Sequence, residues 1–183
     1  MSKPFQDPDT SEFADVAVRF TNVRFGINRN YRDNQGNHPV CLIADLVTAS
    51  GAERADQIFS IGPGYVAIDG GAAVEHENKK FNRGPNLGFS KGSKGATFLD
   101  SLCADEADYP ALAERGAKTG GPRNAAFWEG LVCQMDEEII EFGKEDEHGK
   151  KKTFRQPLAT KLYGWDCEIP VDGDEDGDGL PPA

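Results

Sequence analysis

Residues 76–95, HENKKFNRGPNLGFSKGSKG, hold Lys79, Lys80, Arg83, Lys91 and Lys94 together with two isolated aromatics, Phe81 and Phe89, and four glycines. No acid occurs between Lys79 and Thr97. Cations at this density can neutralise phosphates, glycines let a backbone come close to a ligand, and rings that fit no buried period can stack on unpaired bases. This is the chemistry of single-stranded nucleic-acid binding. An ordinary surface loop whose aromatics tuck back onto a core fits the same residues. The two readings differ in whether cations and rings stay outside. Arg24, Tyr31 and Arg32 near an Asn-rich loop, and Lys151, Phe154 and Arg155 at a charged hairpin, would extend the groove.

Other chemistries meet the sequence less well. GFSKGSKGAT approaches a phosphate-binding Walker loop, but Gly92 is followed by Ser93 and the G-x-x-x-x-G-K-[ST] spacing is not met. Asp172, Asp174, Asp176 and Gly177 match the first half of an EF-hand loop, yet Ala183 stands where the bidentate Glu belongs. His38, His76 and His148 fall in predicted loops without metal spacing, and no Ser or Cys sits in a nucleophile context. No catalytic residue, metal site or cofactor is therefore expected. Cys41, Cys103, Cys133 and Cys167 share no short spacing, which excludes a CxxC pair and reads as free thiols of a reducing cytosol.

The chain has 183 residues, and 38% apolar content suits one folded domain with extensions. Its net charge of −11 is unevenly spread: Asp166 to Ala183 carries seven acids and no base, leaving −4 on residues 1–165. The asymmetry, a basic loop and an acidic end, says more than the total. MSKPFQDPDTSEF has no signal-peptide core, and no stretch approaches the roughly 18 apolar residues of a membrane helix. A soluble protein of the cytoplasm is the expectation.

The elements that must position the loop follow from periodicity. Residues 1–13 read as an irregular arm around Pro4 and Pro8. Residues 14–27, ADVAVRFTNVRFGI, alternate as a strand with a phase slip near Asn22 that predicts a bulge. A loop, NRNYRDNQGNH, leads to a second strand over residues 39–49, a short third from Gln57 to Ile61 and a fourth piece from Tyr65 to Ile68. ATFLDSLCA then places Phe98, Leu99, Leu102 and Cys103 on one helical face, with Ser93 or Thr97 as cap. A short helix at Pro110 to Arg115 and a single turn capped by Asn124 follow. Residues 127–165 form a long hairpin, with Gly143 to Lys152 as its solvated tip. It needs a third strand or a helix to cover its apolar face.

Early strands, a helix, then a closing hairpin is the order of an OB-fold: mainly β, one or two short helices, a five-stranded barrel over residues 14–165. Sequence leaves open whether the barrel closes. With VAVRFTNVRF, ATFLDSLCA, FWEGLVCQMDEE and TFRQPLATKLYGW in these places, the chain resembles phage-encoded OB-fold single-stranded-DNA-binding proteins of replication and recombination modules. The resemblance covers roughly residues 14–165 and implies a non-catalytic DNA binder in the cytoplasm of a bacterial host. It extends to the end of the chain: such proteins carry a disordered acidic tail that recruits partner enzymes. Asp174, Asp176, Asp178 and Leu180 in VDGDEDGDGLPPA hold that place, although the tip lacks the family's aromatic residue. A run without apolar residues from Asp172 to Gly179 cannot fold alone, and it could compete with DNA for the basic loop. The implied partners are single-stranded DNA, replication or recombination proteins, no membrane, and a homo-oligomer as an open option. A second class also fits: a virion component, such as a head-decoration or tail protein, gripping neighbours with its loops and termini.

Overall fold

A computed structural model describes residues 13–84 and 87–171. The chain order is β1 (Val16–Ile27), β2 (Val40–Thr48), β3 (Glu53–Ser60), β4 (Tyr65–Ile68), β5 (Ala73–His76), α1 (Lys94–Leu102), α2 (Tyr109–Thr119), α3 (Ala125–Trp128), β6 (Leu131–Phe142) and β7 (Lys152–Trp165). Single 3-10 turns lie at Asp69–Gly71, Lys79–Asn82 and Glu106–Asp108. The residues proposed for a partner-binding tail, Asp174, Asp176, Asp178 and Leu180, lie outside the described residues, as do Pro4 and Pro8 of the expected arm.

Alternation makes β1 a strand, burying Val16, Val18 and Phe20 on one face. The predicted bulge is present: the β1–β2 register shifts between Thr21 and Arg24, and Asn22 has a φ of 49°. The bulge frees backbone N–H groups, and the Glu129 carboxylate accepts from Asn22 at 3.2 Å and Val23 at 2.8 Å. On β2, Leu42, Ala44 and Leu46 are fully buried. The third strand is longer than its sequence suggests and starts at Glu53, because Glu53, Arg54 and Asp56 belong to an edge whose polar face meets water.

The five long strands form one antiparallel sheet in the order β3-β2-β1-β6-β7. This corrects the expected barrel: among the described residues β3 and β7 do not pair, and the sheet is open. Helix α1 stands in the seam and is hydrogen-bonded to both of its edges. The Lys94 N–H donates to Oγ of Ser60, the last residue of β3, at 3.0 Å, Gln156 Nε2 on β7 donates to the Lys94 carbonyl at 3.2 Å, and the Ala159 N–H on β7 donates to Ser101 Oγ at 2.8 Å. A carboxylate also bridges the seam. Glu137 on β6 accepts from Arg54 of β3 at 2.6 Å and from Arg155 of β7 at 3.1 Å.

Three α-helices are present where one or two were expected. Ser93 Oγ caps α1 by accepting from the Ala96 N–H at 3.2 Å, and Phe98 and Leu102 form its buried face. Helix α2 extends the short helix expected at Pro110 to Arg115 and ends at Gly120, whose φ of 86° suits glycine. Asn124 precedes α3, but its side chain makes no cap bond. The core is an aromatic cluster under the sheet. Phe20 packs on Phe59 at 5.8 Å and on Phe98 at 5.7 Å between centroids, and Trp128 closes the group 6.2 Å from Phe98.

Candidate nucleic-acid interface

The basic loop is mounted on a separate hairpin that pairs the expected piece Tyr65–Ile68, β4, with β5, which sequence does not reveal, so that Tyr65 lies opposite His76. His76, expected in a loop, is the last residue of β5. Gly64 has a φ of 81°, and a Cβ there would come 2.8 Å from the His76 ring, so glycine both makes the turn and leaves room for the imidazole. Beyond β5, polar side chains shape the Lys79–Asn82 turn. Asn82 Oδ1 accepts from the His76 N–H at 2.8 Å while its Nδ2 donates to the His76 carbonyl at 2.7 Å. The Asn78 N–H donates to His76 Nδ1 at 2.9 Å, and Asn78 Oδ1 caps the turn by accepting from the Lys80 N–H at 3.1 Å. This framework turns Lys79, Lys80 and Phe81 outward. The Phe81 ring is 55% exposed and stands edge-on to His76, centroids 4.8 Å apart.

Arg123 locks the far side of the loop. The Val74 N–H donates to the Arg123 carbonyl at 3.0 Å, which fixes the residue against β5. Its guanidinium donates to the Gly88 carbonyl at 2.9 Å, to Asn82 Oδ1 at 2.9 Å and to the Tyr65 hydroxyl at 3.5 Å, and lies 5.2 Å from the Tyr65 ring centre. Three segments thus meet on one cation. Between them opens a cavity of about 400 Å³, walled by Tyr65, His76, Phe81, Phe89, Lys91 and Arg123 among others.

Lys79, Lys80, Arg83 and Lys91 are exposed, and among the described residues none makes an ion pair. Exposed Glu75 and Glu77 are the acids nearest in sequence. The remaining candidates are distributed differently. Phe89 is no free platform: it packs against Phe25 at 6.2 Å, Tyr65 at 6.4 Å and Trp128 at 6.3 Å. Lys94 begins α1 with its Nζ 5.2 Å from the Phe154 ring, and burial pulls its ammonium below the ordinary 10.5 against the opposing charge of Glu137. Phe154 meets Phe142 edge-on at 5.6 Å, and Arg155 is held by Glu137. Arg24 is ion-paired to Asp45 and Asp56. Tyr31 and Arg32 are exposed on the β1–β2 connection, and Lys151 is exposed at the hairpin tip. The loop cations and Phe81 therefore form one cluster, while Lys94, Phe154 and Arg155 form another at the seam.

Sequence alone gives no site role to Tyr65 or Arg123, and it places His76 in a loop without one. The one signal for Arg123 is that Gly116 to Trp128 contains no acid to pair with it. Two of the thiols are too deeply buried to act as nucleophiles: burial pushes Cys133 up to about 12 and Cys41, despite Lys94, to about 11. Among the described residues no group of His, Cys, Asp or Glu side chains could hold a metal ion, and no helix is long and apolar enough to cross a membrane. Compared with family models, curated proteins and solved structures, the chain matches none.

Proposed function

We propose that this chain is a non-catalytic single-stranded-DNA-binding protein of OB-like architecture, of the kind encoded in phage replication and recombination modules. One observation carries the reading. Lys79, Lys80, Arg83 and Lys91 stand exposed in the same loop as the exposed ring of Phe81 and, among the described residues, make no ion pair, whereas Arg24, Arg54 and Arg155 of the sheet are each held by a carboxylate. Free cations around an aromatic platform suit a phosphate backbone with unpaired bases. The strand order supports the architecture, since an OB-fold is a partly open five-stranded barrel and this sheet lacks only the β3–β7 pairing. In this account the cations hold phosphates, Phe81 stacks on a base, and binding depends strongly on salt and little on sequence. The acids of residues 172–183 compete for the same cations or recruit replication and recombination proteins.

The test is fluorescence anisotropy with labelled oligo-dT and with a duplex of equal length. Preference for the single strand, weakening as salt rises, is the expected result; absence of binding at low salt overturns the proposal. A virion component is the second reading, favoured by Ile139 and Phe142, which are exposed on the outer part of the β6–β7 hairpin. Assembly into large particles in sedimentation, with no DNA affinity, would select it.

A further inference from the structure

We infer that the cavity beneath Phe81 is a pocket for a single nucleotide unit, holding its phosphate on Arg123 and Lys91 and its base against the rings of Phe81 and Tyr65. This rests on the single-strand reading above and deepens it. The first ground is Arg123 itself. It is 8% exposed, and a guanidinium buried that far is ordinarily paired with an anion. Here its three protein acceptors are the Gly88 carbonyl, Asn82 Oδ1 and the Tyr65 hydroxyl, all uncharged. A guanidinium has five N–H donors, so two are left without a partner among the described residues. The planar fork matches phosphate oxygens, and Lys91 adds a second, exposed cation to the wall.

The second ground is the shape and chemistry of the walls. The volume of about 400 Å³ lies within the range of small-molecule sites, and among the described residues no acid lines the cavity. Tyr65, His76, Phe81 and Phe89 make the walls aromatic, which favours a flat ring over an aliphatic acid. A base within a duplex has its faces and edges occupied, so entry requires an unpaired nucleotide. The pocket thus sets the register of a strand whose neighbouring phosphates lie on Lys79, Lys80 and Arg83.

The experiment titrates the intact chain with dTMP, thymidine and inorganic phosphate separately, following the His76 ring and Arg123 Nε–H signals by NMR, and then competes dTMP against labelled oligo-dT. The expected result is that dTMP shifts both signals, binds at least about tenfold more tightly than thymidine or phosphate, and displaces the oligonucleotide. Arg123→Lys should lose about tenfold or more in dTMP affinity. Because Arg123 also ties β4, β5 and the loop together, Phe81→Ala serves as the second variant, with the same loss expected from an exposed position. Unmoved His76 and Arg123 signals, with oligo-dT binding that dTMP does not displace, overturn the pocket and leave strand binding standing. Binding of dTMP at these signals without any oligo-dT affinity supports the pocket and removes the strand reading.

Discussion

Replacing Phe81 and Phe89 separately by alanine should produce opposite effects, because the two rings look alike in sequence and differ in their surroundings. Phe81 is 55% exposed, and among the described residues its one ring contact is His76. Its loss should leave stability within about 0.5 kcal/mol, as for other surface changes. Base stacking on an aromatic side chain is worth about 1–3 kcal/mol, so oligo-dT affinity should fall by about 5- to 150-fold. The salt dependence should not change, because the ring neutralises no phosphate. Phe89 touches Phe25, Tyr65 and Trp128, so removing it leaves a cavity and costs up to about 3–5 kcal/mol of stability. Urea midpoints and anisotropy titrations on both variants at one low salt concentration measure these effects. An unchanged affinity for Phe81→Ala, with the fold intact, refutes the stacking role.

Other outcomes follow from the seam, the thiols and the chain end. Burial alone would raise the Glu137 carboxyl, but the hydrogen bond and charge of Arg54, then those of Arg155, hold it below the ordinary 4.5. Its stabilising effect is therefore complete above that ordinary value and is lost as pH falls through the lower folded value. Glu137→Gln should lower stability by about 1–3 kcal/mol at neutral pH, less than a fully buried pair because both arginines are partly exposed, and its urea midpoint should vary less than the parent's towards about pH 3. An unaltered acid limb would contradict the clamp. Thiol titration should find Cys103 and Cys167 reactive in the folded protein, with buried Cys41 and Cys133 reacting only in urea. Ending the chain at Val171 removes five carboxylates but keeps the Asp166 N–H bond to the Gly130 carbonyl, at 2.9 Å, and the Arg19 contact with the Cys167 carbonyl. DNA affinity should rise, most at low salt; unchanged affinity would remove the tail from the competition.

Local pattern carried much of the fold into view. Alternation over residues 14–27 marked β1 and its bulge, and the polar tip between Gly143 and Lys152 marked the β6–β7 turn. What escaped depended on distant contacts. Ala73–His76 is too short to show a period and is a strand through pairing with Tyr65–Ile68. The barrel was expected from element order, but order does not say whether α1 will occupy the β3–β7 seam, as it does through Ser60, Gln156 and Ala159. The basic loop was legible as a cluster of cations. Its inner partner was not, since Arg123 lies far along the chain and reaches Gly88 and Asn82 only in the fold. Lys94 and Arg155 looked equivalent to Lys80 in sequence and are instead engaged at Phe154 and Glu137.

The most direct test is the salt dependence of oligo-dT affinity for the intact chain and for Lys80→Ala. Lys79, Lys80, Arg83 and Lys91 are four exposed cations, and single-stranded DNA gives a slope of about −0.7 per neutralised phosphate in log K against log salt. Together they should give a slope of about −2.8, a fall of roughly 50-fold between about 50 and 200 mM salt. Lys80→Ala should reduce the slope to about −2.1 and the fall to roughly 20-fold. A chain that fails to bind at low salt, or a slope that Lys80→Ala leaves unchanged, contradicts a phosphate-binding role for this loop.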